Sequence, residues 1–210
     1  MFDDDGRNGQ SGAAMSHPET PLPRSPQLLS RTASHLVVVD VQEKLLPHIP
    51  VAERLVERCR QLVDGARVLG VPVRATEQYP RGLGSTAPVL AELLDEIPEK
   101  LRFSAAETLA LGSAAERTDE RDQVVLCGIE SHVCILQTAL DLVSHGFAVF
   151  VPTDAVASRN KLDWTTALRR MSDSGVVLTT VEGVLFEWCE VAGSDEFKQI
   201  SRLVTGKDEA

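Results

Sequence analysis

Residues 124–134 read Val-Val-Leu-Cys-Gly-Ile-Glu-Ser-His-Val-Cys and join a buried strand to a helix. The apolar, β-branched run from Val124 to Leu126 is typical of a strand covered on both faces, as in a parallel sheet. From Ser131 onward, apolar residues recur at three- and four-residue steps, which is helical spacing. Ser131 is a candidate N-cap, so the sequence predicts that Cys134 falls in the first turn of the helix.

The position of Cys134 suggests a reactive thiol. The first N–H groups of a helix have no intrahelical partners, and the helix dipole favours negative charge there. We therefore expect a lowered pKa for the Cys134 thiol and a better nucleophile. The other cysteines, Cys59, Cys127 and Cys189, fit ordinary packing roles, and core packing is also an alternative for Cys134. Cys134 lies off the apolar stripe of its helix, which favours the reactive interpretation.

Composition and charge limit the possible classes of function. The chain has 210 residues, a net charge of −10 and an isoelectric point near 5.0, which argues against nucleic acid or a membrane surface as partner. No apolar run approaches the roughly 18 residues that span a bilayer. Residues 1–33 are rich in Ser, Pro and Gly and are predicted to be a disordered tail before one domain over 34–210. The N-terminus has no secretory signal, so we expect a cytoplasmic protein.

Strands and helices alternate after the tail. Residues 53–69 have the pattern of an amphipathic helix, and apolar strand-like runs begin at Leu36, Val71, Lys100, Val124, Phe147 and Val176. This alternation predicts an α/β fold with three layers (α/β/α) around a mostly parallel, Rossmann-like sheet. Ligands bind at the carboxyl ends of the strands in such folds. No glycine-rich phosphate loop follows the first strand, so no nucleotide cofactor is expected.

The histidines and cysteines show no metal-binding pattern. The five histidines are scattered, and no C-x-x-C or H-E-x-x-H spacing occurs. We therefore expect neither a metal nor another cofactor. His132 stands near Cys134, but residues two apart on a helix do not face each other, so a Cys–His dyad is not predicted.

Three separate motifs together resemble the isochorismatase-like cysteine hydrolases. They are Asp40 in Val-Val-Val-Asp-Val-Gln, Lys100 in Glu-Lys-Leu-Arg-Phe-Ser-Ala, and Cys134 in Cys-Gly-Ile-Glu-Ser-His-Val-Cys. The resemblance extends over about residues 35–203. It implies a six-stranded parallel sheet with Asp40, Lys100 and Cys134 as the catalytic triad.

The resemblance also implies how these residues act. The Cys134 thiolate attacks a carbonyl and forms a thioester, Asp40 is the general base and then the general acid, and the Lys100 cation supports both charges. The N–H groups of Val133 and Cys134 are expected to hold the oxyanion. A cis peptide bond between Ile129 and Glu130 is implied in the same turn.

Two departures narrow the implied activity. The segment Thr76-Glu-Gln-Tyr-Pro-Arg lacks the Asp-x-His-x-His metal site of the nicotinamidase branch, so that activity is not implied. The nucleophilic cysteine separates the chain from isochorismatases that lack it. We expect a small-molecule substrate with an amide or carbamoyl C–N bond, and the resemblance implies a homo-oligomer. The expected substrate-binding residues, which flank the motifs, are Gln78, Tyr79, Phe103 and Glu130.

Two other functions remain open from the sequence. In the first, the chain is a thiol-redox protein in which Cys134 cycles with a resolving cysteine, for which Cys127 is the nearest candidate. The absence of a C-x-x-C motif disfavours it. In the second, the chain is a non-catalytic scaffold that keeps the fold for partner contacts.

Overall fold

A computed structural model of the chain describes residues 23–206. The strands within this range are β1 Ser34–Val39, β2 Val73–Gln78, β3 Glu99–Lys100, β4 Gln123–Ile129, β5 Ala148–Pro152, β6 Val156–Ala157 and β7 Val177–Thr179. The helices are α1 Ala52–Leu69, α2 Pro80–Leu83, α3 Pro88–Ala91, α4 Ala106–Leu109, α5 Leu136–Ser144, α6 Lys161–Asp173, α7 Val181–Cys189 and α8 Asp195–Thr205. Short 3-10 turns cover Leu46–His48 and Ala114–Glu116.

The sheet is parallel throughout and has the strand order β3-β2-β1-β4-β5-β7, with β6 paired to the end of β4. The chain runs outward from β1 through β2 to β3 and then returns to the other side of β1 with β4. Its order therefore reverses between β1 and β4, the position at which open α/β sheets form a ligand crevice. The predicted α/β/α fold is confirmed. The sheet has seven strands where six were expected, because β6 is too short to give a periodic signal.

Two apolar clusters cover the two faces of the sheet. Leu36 and Val38 of β1 belong to the cluster beneath α1 and α7, and Val37 and Val39 belong to the cluster beneath α5 and α6. This alternation follows from the two-residue period of a strand that is buried on both sides. Trp188 on α7 is the largest fully buried side chain. None of the helices among the described residues is long and apolar enough to cross a membrane.

Residues 23–33, which the sequence assigned to a disordered tail, instead pack against the domain. Leu29 is fully buried, and its N–H donates to Glu187 Oε2 at 2.7 Å. The N–H of Ser30 donates to the side-chain oxygen of Gln123 at 2.7 Å. A single anchoring leucine leaves no periodic pattern, so the sequence did not indicate this contact. The rest of the predicted tail, residues 1–22, lies outside the described part of the chain.

The strand predicted to begin at Lys100 ends at that residue. The backbone carbonyls of Arg102 and Phe103 turn back toward the Lys100 side chain and accept hydrogen bonds from its Nζ atom, at 3.3 and 2.9 Å. This bend takes residues 101–103 out of the sheet and leaves the side chains of Leu101 and Phe103 exposed. The apolar residues that suggested a longer strand are therefore exposed just beyond the carboxyl end of β3.

Candidate active site

The structure brings Asp40, Lys100 and Cys134 together at the carboxyl edge of the sheet. Asp40 follows β1 directly, Lys100 is the last residue of β3, and Cys134 lies in the turn after β4. Because the strands are parallel, their carboxyl ends share one edge, and residues far apart in sequence meet there. Relative exposures of 0%, 4% and 7% show that all three side chains are buried.

The Asp40 carboxylate is held by neighbours from β2 and β3. Thr76 donates its hydroxyl to Oδ1 at 2.9 Å, and Lys100 Nζ lies 2.7 Å from Oδ2. The Asp40 backbone has a φ of 55°, in the left-handed region, and its N–H donates to the Thr76 carbonyl at 3.0 Å. Since aspartate tolerates this conformation better than most residues, the chain can leave β1 here with its carboxylate facing inward. Thr76 was not identified from the sequence.

The turn that carries Cys134 depends on a close approach between β1 and β4. Gly128 has a φ of 119°, and a Cβ atom there would lie 2.1 Å from the Val39 carbonyl oxygen, so no other residue fits. The peptide bond between Ile129 and Glu130 is cis, where the resemblance implied one. Ser131–Ile135 then form a single π-helical turn that leads into α5.

Two details of this turn differ from expectation. Ser131 is not an N-cap: it is the first residue of the π turn, and its buried hydroxyl has no hydrogen-bond partner within the described residues. The Val133 N–H donates to the Glu130 carbonyl at 3.0 Å, so it is not the free donor that an oxyanion site requires. Cys134, the fourth residue of this turn, lies in the first helical turn as the sequence predicted.

The pKa of the Cys134 thiol is raised, which corrects the expectation of a lowered value. Burial and then the negative charge of Asp40 raise the pKa to about 12, and the Lys100 cation opposes them only in part. A helix N-terminus lowers the pKa of a thiol that remains in water. For the buried Cys134 thiol, desolvation of the charged sulfur raises the pKa by more. Cys134 is therefore a neutral thiol at physiological pH.

Asp40 is perturbed in a complementary way. Burial raises the pKa of its carboxyl, whereas the Lys100 cation and hydrogen bonds from Lys100, Cys134 and Thr76 lower it, and burial has the larger effect. A carboxyl with a raised pKa is a stronger base, so it accepts a proton from a neighbouring thiol more readily. Asp40, Lys100 and Cys134 thus lie close enough to influence one another's charge.

The four expected substrate-binding residues divide into two pairs. Tyr79 and Phe103 are about half exposed, with 51% and 53% of their surface accessible, and can contact a ligand. Glu130 is buried, and its carboxylate accepts hydrogen bonds from the backbone N–H and Nε of Arg159, at 3.0 and 3.2 Å. Gln78 is also buried and bonded to other parts of the protein at both ends of its amide. The polar groups of Glu130 and Gln78 thus have hydrogen-bond partners within the protein.

Thr138 is a further residue of the site that the sequence did not indicate. Its hydroxyl donates to the Cys134 carbonyl at 2.6 Å and accepts from the Ala105 N–H at 2.9 Å. It thereby ties the nucleophile turn to the segment that follows Lys100. In the sequence, this contact is indicated only by the four-residue spacing between Cys134 and Thr138, and such spacing is common.

The remaining cysteines lie away from this cluster. Cys59 and Cys127 interact with each other in the apolar cluster on the α1 side of the sheet, whereas Cys134 belongs to the cluster on the α5 side. All four cysteines are free thiols. His132 contacts Ser158, with 3.0 Å between Nδ1 and Oγ, and does not serve as a base for Cys134. Among residues 23–206, no group of three or more His, Cys, Asp or Glu side chains could hold a metal ion.

A family model described as the isochorismatase domain matches residues 34–183. The chain belongs to the isochorismatase family. Among curated proteins, it is 39% identical over 176 residues to isochorismatase domain-containing protein 2 of Danio rerio, covering 84% of this chain and 89% of that protein. It is 37% identical over 177 residues to the secreted isochorismatase effector Isc1 of Phytophthora sojae, covering 82% and 84%.

Solved structures of the isochorismatase fold agree with the architecture. The structure titled MAR1 ribonuclease from Caenorhabditis elegans superposes with a TM-score of 0.77 at 36% identity, covering 85% of this chain and 92% of that one. The YcaC gene product of Escherichia coli, described as an octameric hydrolase of unknown specificity, gives a TM-score of 0.73 at 24% identity and coverages of 88% and 98%. The likeness to YcaC establishes the fold alone.

Proposed function

We propose that this member of the isochorismatase family is a cysteine hydrolase that cleaves an amide or carbamoyl C–N bond of a small molecule without a metal. The observation that carries the proposal is the buried Asp40–Lys100 pair, with 2.7 Å between Oδ2 and Nζ, whose two charges both act on the pKa of the buried Cys134 thiol. A buried ion pair is seldom retained for stability alone, because desolvation of both charges offsets their attraction. Its place beside the only cysteine at this edge of the described sheet supports a chemical role.

The reaction begins with transfer of the thiol proton from Cys134 to Asp40. The sulfur attacks the carbonyl carbon, and the resulting oxyanion is held in part by the Cys134 N–H. Asp40 returns the proton to the leaving nitrogen, the C–N bond breaks, and a thioester to Cys134 remains. Asp40 then takes a proton from water, the hydroxide attacks the thioester, and the thiol is regenerated as the acid leaves. Lys100 stays charged throughout and stabilises the negative charge on either partner.

The raised pKa of Cys134 fits this sequence of steps. With a thiol pKa of about 12, free thiolate is scarce at neutral pH, so deprotonation has to accompany attack on a bound substrate. A base in direct contact makes that coupling possible, and Asp40 is that base. The site therefore becomes nucleophilic when a substrate is bound and stays protected from general alkylation otherwise.

The alternative functions find less support in the geometry. A redox cycle needs a second cysteine within reach of Cys134, and Cys127 lies on the other face of the sheet. A non-catalytic scaffold does not require a buried Asp–Lys pair. A carboxyl with a raised pKa, such as that of Asp40, is typical of functional sites. The hydrolase is the function that uses every feature of the cluster.

The substrate, the assembly and the location of the protein are parts of the same proposal. We propose that the half-exposed side chains of Tyr79 and Phe103 contact the small molecule. A homo-oligomer is part of the proposal because the YcaC neighbour is described as an octamer; light scattering would detect an oligomer, whereas a monomer would contradict it. We retain the cytoplasm as the proposed location, although Isc1 is described as secreted. Localisation of a tagged full-length chain tests this.

RNA is a second candidate substrate because the C. elegans neighbour is titled a ribonuclease. The net charge of −10 disfavours it, since binding to a phosphate backbone depends on basic side chains. A panel of small amides and carbamoyl compounds, and in parallel a labelled RNA, would be incubated with the wild type and with Cys134→Ala. Release of ammonia or amine by the wild type alone supports the proposal. RNA cleavage that Cys134→Ala retains, with no amide hydrolysed, would overturn it.

A further inference from the structure

The ammonium group of Lys100 is enclosed by four oxygen atoms of the protein. Nζ lies 2.7 Å from Asp40 Oδ2 and 2.7 Å from Gln78 Oε1. It lies 2.9 and 3.3 Å from the carbonyl oxygens of Phe103 and Arg102. An ammonium group has three N–H donors, so the surrounding oxygens already outnumber its hydrogens. Lys100 has no donor left for a substrate and acts through its charge.

Among residues 23–206, Gln78 supplies the side-chain oxygen that accepts a hydrogen bond from Lys100, in addition to the Asp40 carboxylate at 2.7 Å. Its amide orientation is determined by its partners, because Oε1 faces an ammonium that can only donate and Nε2 faces the Leu101 carbonyl, which can only accept, at 2.9 Å. The side chain is 7% exposed. Each end of the amide thus has a partner within the protein, and these two partners hold the side chain in place.

A second buried amide fixes the backbone of Gln78. Gln42 is fully buried; its Oε1 accepts from the Gln78 N–H at 2.8 Å, and its Nε2 donates to the Gln78 carbonyl at 3.0 Å. The same Nε2 donates to the Gly84 carbonyl at 2.6 Å, which ties in the loop after α2. The oxygen that Gln78 presents to Lys100 therefore has little freedom to move.

We propose that Gln78 is a positioning residue that holds the Lys100 cation against Asp40 and the Cys134 thiol, and that it must be uncharged to do so. The proposal rests on the proposed function. A neutral oxygen stabilises the ammonium without cancelling its charge, so the positive field remains available to the carboxylate and the developing thiolate. A carboxylate at the same place would compensate the cation and raise the cost of forming the thiolate.

A double-mutant cycle on the alkylation rate of Cys134 tests this without a substrate. Folded wild type, Gln78→Met, Lys100→Met and the double variant are treated with iodoacetamide between pH 7 and 9, and labelling of Cys134 is followed by peptide mapping. Gln78→Met should slow labelling about 10- to 100-fold, the size of one hydrogen bond to a charged group. Lys100→Met should slow it at least as much. The double variant should match Lys100→Met, because Gln78 acts through that lysine.

A matched control separates this role from general stability. Gln123 is also a buried glutamine with three hydrogen-bond contacts, to the Ser30 N–H, the Ser34 hydroxyl and the Leu28 carbonyl, but it lies at the opposite end of the sheet. Gln123→Met should lower Tm and leave the labelling rate of the folded protein unchanged. If it slowed labelling as much as Gln78→Met, the effect would be one of stability and the proposal would fall.

Gln78→Glu keeps an acceptor oxygen beside Lys100 and tests the requirement for neutrality. It should slow Cys134 labelling in the folded protein, and it should also lower Tm, because one carboxylate oxygen replaces Nε2 against the Leu101 carbonyl. Labelling of the folded variant at the wild-type rate would overturn that requirement. Slowing factors that multiply in the double variant would show that Gln78 acts independently of Lys100, which overturns the positioning role. If Lys100→Met alone changes nothing, Lys100 has no part in the proposed function. A cycle that behaves as expected while no amide is hydrolysed supports the inference and contradicts only the proposed reaction.

Discussion

The Nζ atom of Lys100 lies 2.7 Å from Oδ2 of Asp40, and both side chains are almost completely removed from solvent. The carboxyl nevertheless has a raised pKa, because burial penalises its charge more than the lysine compensates it. Removing one partner of such a pair leaves the other charge buried alone, typically at a cost of about 3–5 kcal/mol. Burial of the pair therefore makes the Asp40 carboxylate a better proton acceptor than an aspartate in water.

Asp40→Asn should abolish most turnover of any accepted amide while the fold is retained. The amide is close to isosteric with the carboxylate but cannot take the thiol proton, and a positioned acid–base contributes roughly 10²–10⁴-fold. Steady-state kinetics should show the loss in kcat. Asp141→Asn, on the exposed face of α5, is the matched control and should keep wild-type rates. Equal activity of both variants would remove Asp40 from the mechanism.

Alkylation of Cys134 should be slow at neutral pH and should rise steadily into the alkaline range. With a folded pKa of about 12, the thiolate fraction increases about tenfold per pH unit between pH 7 and 11. Lys100→Met removes the cation that lowers this pKa, so the variant should label more slowly at every pH in that window. Lys44→Met, at an exposed lysine, should follow the wild type. A plateau of the wild-type rate near pH 7 would contradict the raised pKa.

Thr138→Val should destabilise the protein by about 1–3 kcal/mol. The valine fills the same space, but the buried N–H of Ala105 loses its acceptor and the Cys134 carbonyl loses its donor. Urea unfolding measures the change. Thr165→Val is the control, because Thr165 makes the same bond to the carbonyl four residues earlier on an exposed helix face and should stay within about 0.5 kcal/mol. Equal effects would show that Thr138 contributes nothing special to the site.

EDTA should leave amide turnover unchanged, because the proposed reaction uses Cys134, Asp40 and Lys100 and none of these steps involves a metal. The comparison is made on enzyme dialysed against the chelator and on enzyme that has not been treated. Loss of activity on dialysis followed by recovery with zinc would show that the proposed mechanism lacks an essential component.

Much of the fold could be predicted because the strands are apolar on both faces and the helices have one apolar stripe. Residues 124–126 and 53–69 show these two patterns clearly, and β4 and α1 lie there. The sequence did not indicate β6 or the anchoring contact of Leu29, because a segment of two residues or a single residue cannot show a periodic pattern. The bend after Lys100 depends on hydrogen bonds from the Lys100 side chain to the backbone carbonyls of Arg102 and Phe103. Local sequence propensities do not predict such bonds.

The candidate site could be predicted only in part. A cysteine after a buried strand was visible from the sequence, but Lys100 was chosen only through the family resemblance. The direction of the Cys134 pKa shift was wrong because the helix terminus is a local feature, whereas burial and the Asp40 charge arise from tertiary contacts. Thr76 and Thr138 also act only through residues that the fold brings beside them.

The identity of the nucleophile is tested most directly by trapping an acyl group on the protein. Cys134 and Cys189 have nearly the same exposure, 7% and 8%, but only Cys134 contacts Asp40 and Lys100. Wild type, Cys134→Ala and Cys189→Ala would be mixed with p-nitrophenyl acetate, quenched in acid and mapped by mass spectrometry. We expect an acetyl thioester on Cys134 in the wild type and in Cys189→Ala, and none in Cys134→Ala. Acetylation of Cys189 in preference to Cys134, or ester hydrolysis by Cys134→Ala at the wild-type rate, would contradict this expectation.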